Sequence, residues 1–585
     1  MEALLEQLSK KNIQLDADIV DVCKNCKSLT VFNTTAELAD ASTNGKENMT
    51  FDVVYDIPEK GKVVEAVVHR VKNGISANYT ESYMRRRDPE TMVIADDLPT
   101  DKTRFSDKFG YDFGKLKKET MDWLKEQDLS IFFYFAGREN IGLFGAAIAP
   151  NNAAFFSLGL AMLQQMTAIE DLPQDAKIET AIYVAPPFRF THFDGKQVVA
   201  HNRKPGMHEM FSYNLYPGPS AKKGLYGSLL NKGEHEGWIT AHCSTVQVTS
   251  PYDNTTTFMH EGASGGGKTE MLQHVPRQED GTVLIGTNLV NGETRNISIP
   301  IFCKFAPVTD DMALCHPSVQ KGDGKLYVVD AENSWFIRVD GVHGYGDDPT
   351  MERITVKPPT PLLFLNIDAV PGSTALIWDH IEDAPGKRCP NPRVVLPREA
   401  MPNVLSGATR VDIRSFGVRA PQCTKEEPSY GITGMFHLLP PALAWLWRLV
   451  APRGHANPSI VSDGSMKSEG VGSYWPFATG EMVHHANMLL KQIEETTAVR
   501  YTLVPNQHIG AYKVGFIPQL MMREYLSRRG NAKLKADQFQ DARCSLLGSE
   551  LNYLTIEGNK IPSRFLKVYK QDEVGFEGYD KGAEI

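Results

Sequence analysis

The chain has 585 residues, 42% apolar and 23% charged, with 47 glycines and 35 prolines distributed along it. That length predicts several domains or two large ones, and the balance of apolar and charged residues excludes a disordered or fibrous protein. A net charge of −9 argues against a general nucleic-acid surface.

In chain order, residues 1–8 are amphipathic with early acids and lack the basic start and apolar run of a secretory signal; no eighteen-residue apolar stretch follows. We therefore expect a cytoplasmic protein with no membrane partner. Cys23-x-x-Cys26 has no second pair at zinc-site spacing, so the eight cysteines read as mostly reduced, buried thiols. Arg85-Arg86-Arg87 is a basic cluster, either solvated or suited to small anionic ligands. Helical periodicity over residues 116–127 and 152–166, with a strand run at 131–135, predicts an N-terminal α/β domain over residues 1–235. Glycines and charges over residues 224–237 mark its end, and residues 236–585 form the second domain. There, strand-like segments at 238–244, 254–259, 284–285, 326–329, 335–339 and 362–367 give way to helical ones at 435–449, 481–495 and 517–527. His484-His485 lies in the second of these helical segments without a partner carboxylate at useful spacing, and both histidines read as structural.

The most informative segment is Gly262-Ala263-Ser264-Gly265-Gly266-Gly267-Lys268-Thr269, which fits G-x-x-x-x-G-K-[ST]. Glycines let the backbone bend with positive φ and turn several N–H groups toward phosphate oxygens. A lysine then reaches the terminal phosphates, and a hydroxyl ligates magnesium. The β-branched run at 254–259 supplies a strand before the loop, and residues 268–275 predict a short helix stopped by Pro276. Gly262, Ser264, Gly265, Gly266, Gly267, Lys268 and Thr269 are thus the expected nucleotide-binding residues.

Other motifs follow in an order that resembles the phosphoenolpyruvate carboxykinases, especially their ATP-dependent branch. The loop is similar to that family's G-L-S-G-T-G-K-T. Ala241-His242-Cys243-Ser244 resembles M-H-C-S, and Lys222-Lys223-Gly224-Leu225-Tyr226 resembles K-K-G-[IM]-F. Arg86-Arg87-Asp88-Pro89 resembles the segment that holds the substrate carboxylate, and Thr309-Asp310-Asp311 the aspartate pair that serves the metals. Pro392-Arg393-Val394 resembles N-T-R-V, and residues 435–441 resemble F-G-V-L-P-P. The resemblance spans roughly residues 80 to 520.

It implies a two-domain α/β carboxykinase-like fold with a P-loop mononucleotide-binding C-terminal domain. It also implies ATP or another nucleoside triphosphate, Mg2+ and Mn2+ as cofactors, and a small carboxylate such as oxaloacetate as substrate. Lys268, Arg393, Arg87 and Lys222 would be catalytic, and Lys223, His242, Thr269, Asp310 and Asp311 would serve the metals. Departures are visible too. Leu284-Ile285-Gly286 is followed by Thr287 where the family continues with aspartates, Glu270 follows the loop threonine as in bacterial kinases that phosphorylate a phosphocarrier, and Tyr216 is one residue out of step with the lysine pair. We find no counterpart of the family's adenine-binding segment. These departures keep two alternatives open, a kinase acting on another small metabolite or a protein hydroxyl, and a nucleotide-sensing protein without turnover.

Overall fold

The apolar runs become three large sheets in the computed structural model, which describes residues 1–452, 460 and 467–585. The first is a mixed eight-stranded sheet drawn from residues 28–212. Its expected strand at 131–135 is the centre of Asp128–Arg138, and the helix expected at 116–127 is Phe113–Lys125, whose first turn is capped by the Asp112 carboxylate accepting from Gly114 N. The helix expected at 152–166 is shorter, Ala154–Leu163, and every one of its residues is buried. Being apolar all round, it packs between the first sheet and the third.

The second sheet has fourteen strands. At its centre are β1 (Ile239–Thr249), β2 (Thr255–Gly262), β3 (Lys304–Thr309) and β4 (Met312–Cys315), with β7 (Ile413–Arg419) and β8 (Arg500–Ile509) beyond β2. β2 runs antiparallel to β1 but parallel to β7, and β7 parallel to β8. Between them in sequence, β5 (Ser334–Arg338) and β6 (Arg393–Pro397) belong to the third sheet, which also takes Leu362–Leu365 and the hairpin strands Thr50–Ile57, Gly61–Val71 and Gly74–Tyr79. The molecule is thus a mixed α/β protein in which one sheet is built from both halves of the chain. Four helices matter below: α1 (Lys223–Glu236), α2 (Pro441–Val450), α3 (Met482–Glu495) and α4 (Ile517–Arg529).

Three expectations are corrected. Residues 268–275 form only the 3-10 turn Thr269–Leu272. Side chains of the buried helix α4 fasten the turn: Gln519 Nε2 donates at 2.8 Å to Gly267 O, which also accepts from Met271 N, and Arg523 Nη1 donates at 2.6 Å to Met271 O, the carbonyl a further turn would use. Residues 435–449 are not one helix, because His437–Leu439 pairs with β8 and α2 starts afresh with Pro441 in its first turn. His484 and His485 do have a carboxylate partner, supplied from α1. Glu234 Oε1 lies 3.0 Å from His484 Nδ1 and its Oε2 lies 3.3 Å from His485 Nε2.

Burial opposes ionisation of Glu234, yet His485, the Glu481 backbone N–H and His484 outweigh it and hold the carboxyl down at about 2. A depressed carboxyl stabilises the fold above its ordinary value of 4.5, and that stability is lost as pH falls from 4.5 toward 2. Glu234→Gln is therefore expected to be less stable than the wild type at neutral pH. The gap should close across that acid window when denaturant unfolding is followed against pH.

Candidate active site

β2 delivers the glycine-rich segment, and its conformation follows from the residues that carry it. Gly265 and Gly267 take φ of 82° and 94°, and a Cβ on Gly267 would sit 2.1 Å from Gln519 Oε1. The loop is fastened from several sides. Gly266 O faces His260 Nε2 at 3.1 Å, Gly265 O accepts from Asn506 Nδ2 at 3.2 Å, and Lys268 O accepts from the Ser244 hydroxyl. Glu469 Oε2 accepts from Ser264 N at 3.1 Å, and Arg87 Nη1 donates to Ser264 Oγ at 3.0 Å. Lys268 Nζ curls over the loop onto Gly262 O and Ala263 O at 3.2 and 3.4 Å.

β7 presses on the loop from beside β2. A Cβ on Gly417 would lie 2.0 Å from Gly266 O and 2.6 Å from His260 Nε2, so no larger residue fits. Gly417→Ala is expected to cost about 1–3 kcal/mol in denaturant unfolding, as overpacked sites do, and to distort the loop that Gly266 belongs to.

Asp311 is the electrostatic hub. Its carboxylate lies 2.6 Å from Lys223 Nζ, 3.0 Å from Lys222 Nζ, 2.9 Å from His242 Nε2 and 3.9 Å from Lys268 Nζ. Burial opposes its ionisation, but Lys222 and Lys223 hold it well below the usual carboxylate range. Asp310 faces the other way and accepts from Thr269 Oγ1 at 2.8 Å. Burial pushes Asp310 up to about 6, with Lys222 lowering and Asp311 raising it.

The adjacent lysines are differentiated by their surroundings. Lys222 is buried against both Asp311 and Glu332, the latter at 3.0 Å, and these carboxylates raise it above the ordinary lysine value despite burial. Lys223 is lowered to about 8, by burial first and then by Lys222 and Lys268, against the pull of Asp311. One lysine is a fixed cation and its neighbour is poised to act as a neutral amine. His242 Nδ1 lies 2.8 Å from Ser473 O, and because a carbonyl only accepts, the ring proton belongs on Nδ1. Burial, then Lys223 and Lys268, lower His242 to about 3, so its Nε2 presents a lone pair.

Those groups fit a divalent cation. Two acceptors, His242 Nε2 and Asp311 Oδ1, face each other at 2.9 Å, with Lys223 Nζ 3.2 Å from the same ring nitrogen. A nitrogen–nitrogen–oxygen set of this kind suits manganese, whereas the hydroxyl and carboxylate of Thr269 and Asp310 suit magnesium.

Across the cleft stands a cationic wall. Arg393 is oriented by Asn391 Oδ1 at 2.7 Å and Phe336 O at 2.9 Å, while Asn391 Nδ2 donates to Tyr216 Oη at 2.8 Å. Its cross-strand partner in the β5–β6 register is Arg338, and both line the cleft. Like charges directly opposite in a sheet repel, and here Asp340 Oδ1 offsets the pair from 2.7 Å beside Arg338 Nε. Arg87 rests over the Phe477 ring at 4.9 Å, whereas Arg85 and Arg86 are tied to Asp383, so only one member of the basic triplet lines the cleft.

The structure thus brings Arg87, Lys222, Lys223, His242, Ser264, Gly265, Gly267, Lys268, Thr269, Asp310, Asp311 and Arg393 to one cleft, whereas the expected loop residues Gly262 and Gly266 sit behind its lining. Tyr216 and Glu270 line it as well; residues 435–441 do not. Sequence reasoning missed Arg338, Phe336, Glu332, Gly417 and Glu469. Arg338 lay inside a segment already read as a strand, but its pairing with Arg393 is a matter of register between distant strands.

This chain belongs to the family described as Domain of unknown function (DUF4914), whose model matches residues 15–585. No curated protein matches the chain. Among the described residues no helix is long and apolar enough to cross a membrane.

Proposed function

We propose that the protein catalyses nucleotide- and divalent-metal-dependent phosphoryl transfer on a two-domain, carboxykinase-like P-loop fold. Its leading specific form is conversion of oxaloacetate and ATP to phosphoenolpyruvate, ADP and carbon dioxide. The observation that carries this reading is the single cleft in which a phosphate loop, a Lys223–His242–Asp311 cluster and the Arg338–Arg393 pair face one another.

Positioning and charge stabilisation dominate phosphoryl transfer, and each has a residue here. Lys268, swung off Gly262 O and Ala263 O, would take the β and γ phosphates. Thr269 and Asp310 would hold magnesium, and Lys223, His242 and Asp311 manganese. Bound metal would neutralise phosphate charge and polarise the substrate carbonyl. Arg87 would clamp the substrate carboxylate through paired N–H donors, and Arg393 with Arg338 would receive the transferring phosphoryl group. Lys222, held charged by Glu332 and Asp311, would stabilise negative charge developing on the acceptor oxygen.

The test is phosphoenolpyruvate formation by purified protein from oxaloacetate and ATP with manganese and magnesium, with GTP and pyrophosphate as parallel donors and Lys268→Ala as control. Product that disappears in the control supports the carboxykinase reading. ATP binding without product removes it and favours a kinase acting on another acceptor, the reading suggested by Glu270 at the edge of the cleft.

A further inference from the structure

The sheet face beneath α2 and α3 holds a second charged cluster. Glu261, the residue of β2 just before Gly262, is 2% exposed. Its Oε1 accepts from Arg414 Nε of β7 at 2.7 Å, and its Oε2 pairs with Arg448 of α2. Arg414 and Arg448 are 2% and 3% exposed. Neither guanidinium can deprotonate, so two interior cations share one carboxylate.

Arg414 Nη1 and Nη2 and Arg448 Nε and Nη1 are buried with no acceptor among the described residues, and the hydroxyls of Tyr474 and Tyr501 are likewise without partners there. These atoms belong together. Tyr501 is the cross-strand neighbour of Arg414 on β8, and Arg448 lies in the electrostatic range of Arg414, Glu261, Tyr501 and Tyr474. Also facing the cluster are Cys243 of β1 and Cys315 of β4, whose thiols burial pushes up, and Gln492 of α3. Glu234, which also acts on Tyr474, is engaged by His484 and His485.

Unmade hydrogen bonds to buried donors are costly, and a buried net charge costs more. A water molecule would satisfy donors but leave the charge. A monoanion does both, whereas a phosphate dianion would reverse the sign and needs more room. We propose that Arg414 and Arg448 hold a small inorganic monoanion of the chloride class, with the hydroxyls of Tyr474 and Tyr501 completing its shell. The ion would tie β7 and α2 to the strand that ends in the phosphate loop, independently of what the cleft turns over.

The experiment uses the full chain, exchanged into gluconate and titrated with chloride or bromide at constant ionic strength while thermal unfolding is followed. Bromide-soaked crystals are then measured at the bromine absorption edge. Expected are a saturable rise in Tm with either halide and an anomalous peak between the two guanidinium groups. Arg448→Met leaves one cation facing one carboxylate and should melt alike in chloride and gluconate. Tyr501→Phe removes a donor without changing charge and should weaken the halide midpoint by roughly fivefold, the equivalent of one ordinary hydrogen bond. Equal wild-type melting in chloride and gluconate, a solvent peak without bromine signal, or a bromine peak without saturable stabilisation (an adventitious ion only) would each overturn the proposal.

Discussion

Asp311→Asn is expected to lose roughly 3–5 kcal/mol of unfolding free energy, the range found when one partner of a buried ion pair is removed. The carboxylate sits within 3.0 Å of both Lys222 and Lys223 and 3.9 Å from Lys268. An amide of the same shape can accept one of their hydrogen bonds but cancels none of their charge. Lys222 would retain Glu332; Lys223 would be left buried beside two other cations. Urea unfolding of the wild type and variant at neutral pH measures the difference. A loss below about 1 kcal/mol would mean that the lysines discharge instead of pairing, and the hub description would fail. In a turnover assay the same variant should be inactive, because the carboxylate is also a proposed metal ligand.

Lys268→Ala separates chemistry from folding. Among the described residues its ammonium hydrogen-bonds only the loop's own carbonyls at Gly262 and Ala263, and it crowds the other cations of the hub. Truncation should leave the melting temperature unchanged or slightly raised, since repulsion on Lys223 falls. Nucleotide-dependent turnover should drop by roughly 10²–10³-fold or more, the scale seen when one preorganised donor to transition-state charge is removed. Single-turnover ATP consumption at saturating nucleotide reads this directly. Unchanged turnover would remove Lys268 from the proposed mechanism.

The parts of the cleft legible in the sequence are those whose requirements are local. Glycine at 265 and 267 answers a backbone sign, the loop's lysine and threonine follow at fixed spacing, and Lys222-Lys223 and Asp310-Asp311 announce themselves as adjacent pairs. One strand of the first sheet, Asp128–Arg138, and helices such as Phe113–Lys125 and α3 were likewise visible as periodicity, to within a few residues at their ends, while the other seven strands of that sheet were not singled out. What stayed hidden depends on partners far along the chain. The expected helix after Lys268 meets Arg523 on the Met271 carbonyl that its next turn would use, and Gly417 has meaning only once β7 lies beside β2. Arg338 joins Arg393 in the wall of the cleft only through strand register, and Glu234 finds His484 and His485 only when α1 meets α3. Periodicity says that a strand exists, not what stands opposite.

The third sheet has a consequence for synthesis on the ribosome. Gly74–Tyr79 pairs in parallel with Leu362–Leu365, which in turn pairs with the strand carrying Arg393. The N-terminal hairpin therefore emerges long before its neighbour exists and presents an open strand edge for most of the time the chain is being made. Nascent chains stalled anywhere before residue 362 should be sticky and reliant on chaperones, and the cleft can be completed only after the last third of the polypeptide has left the exit tunnel.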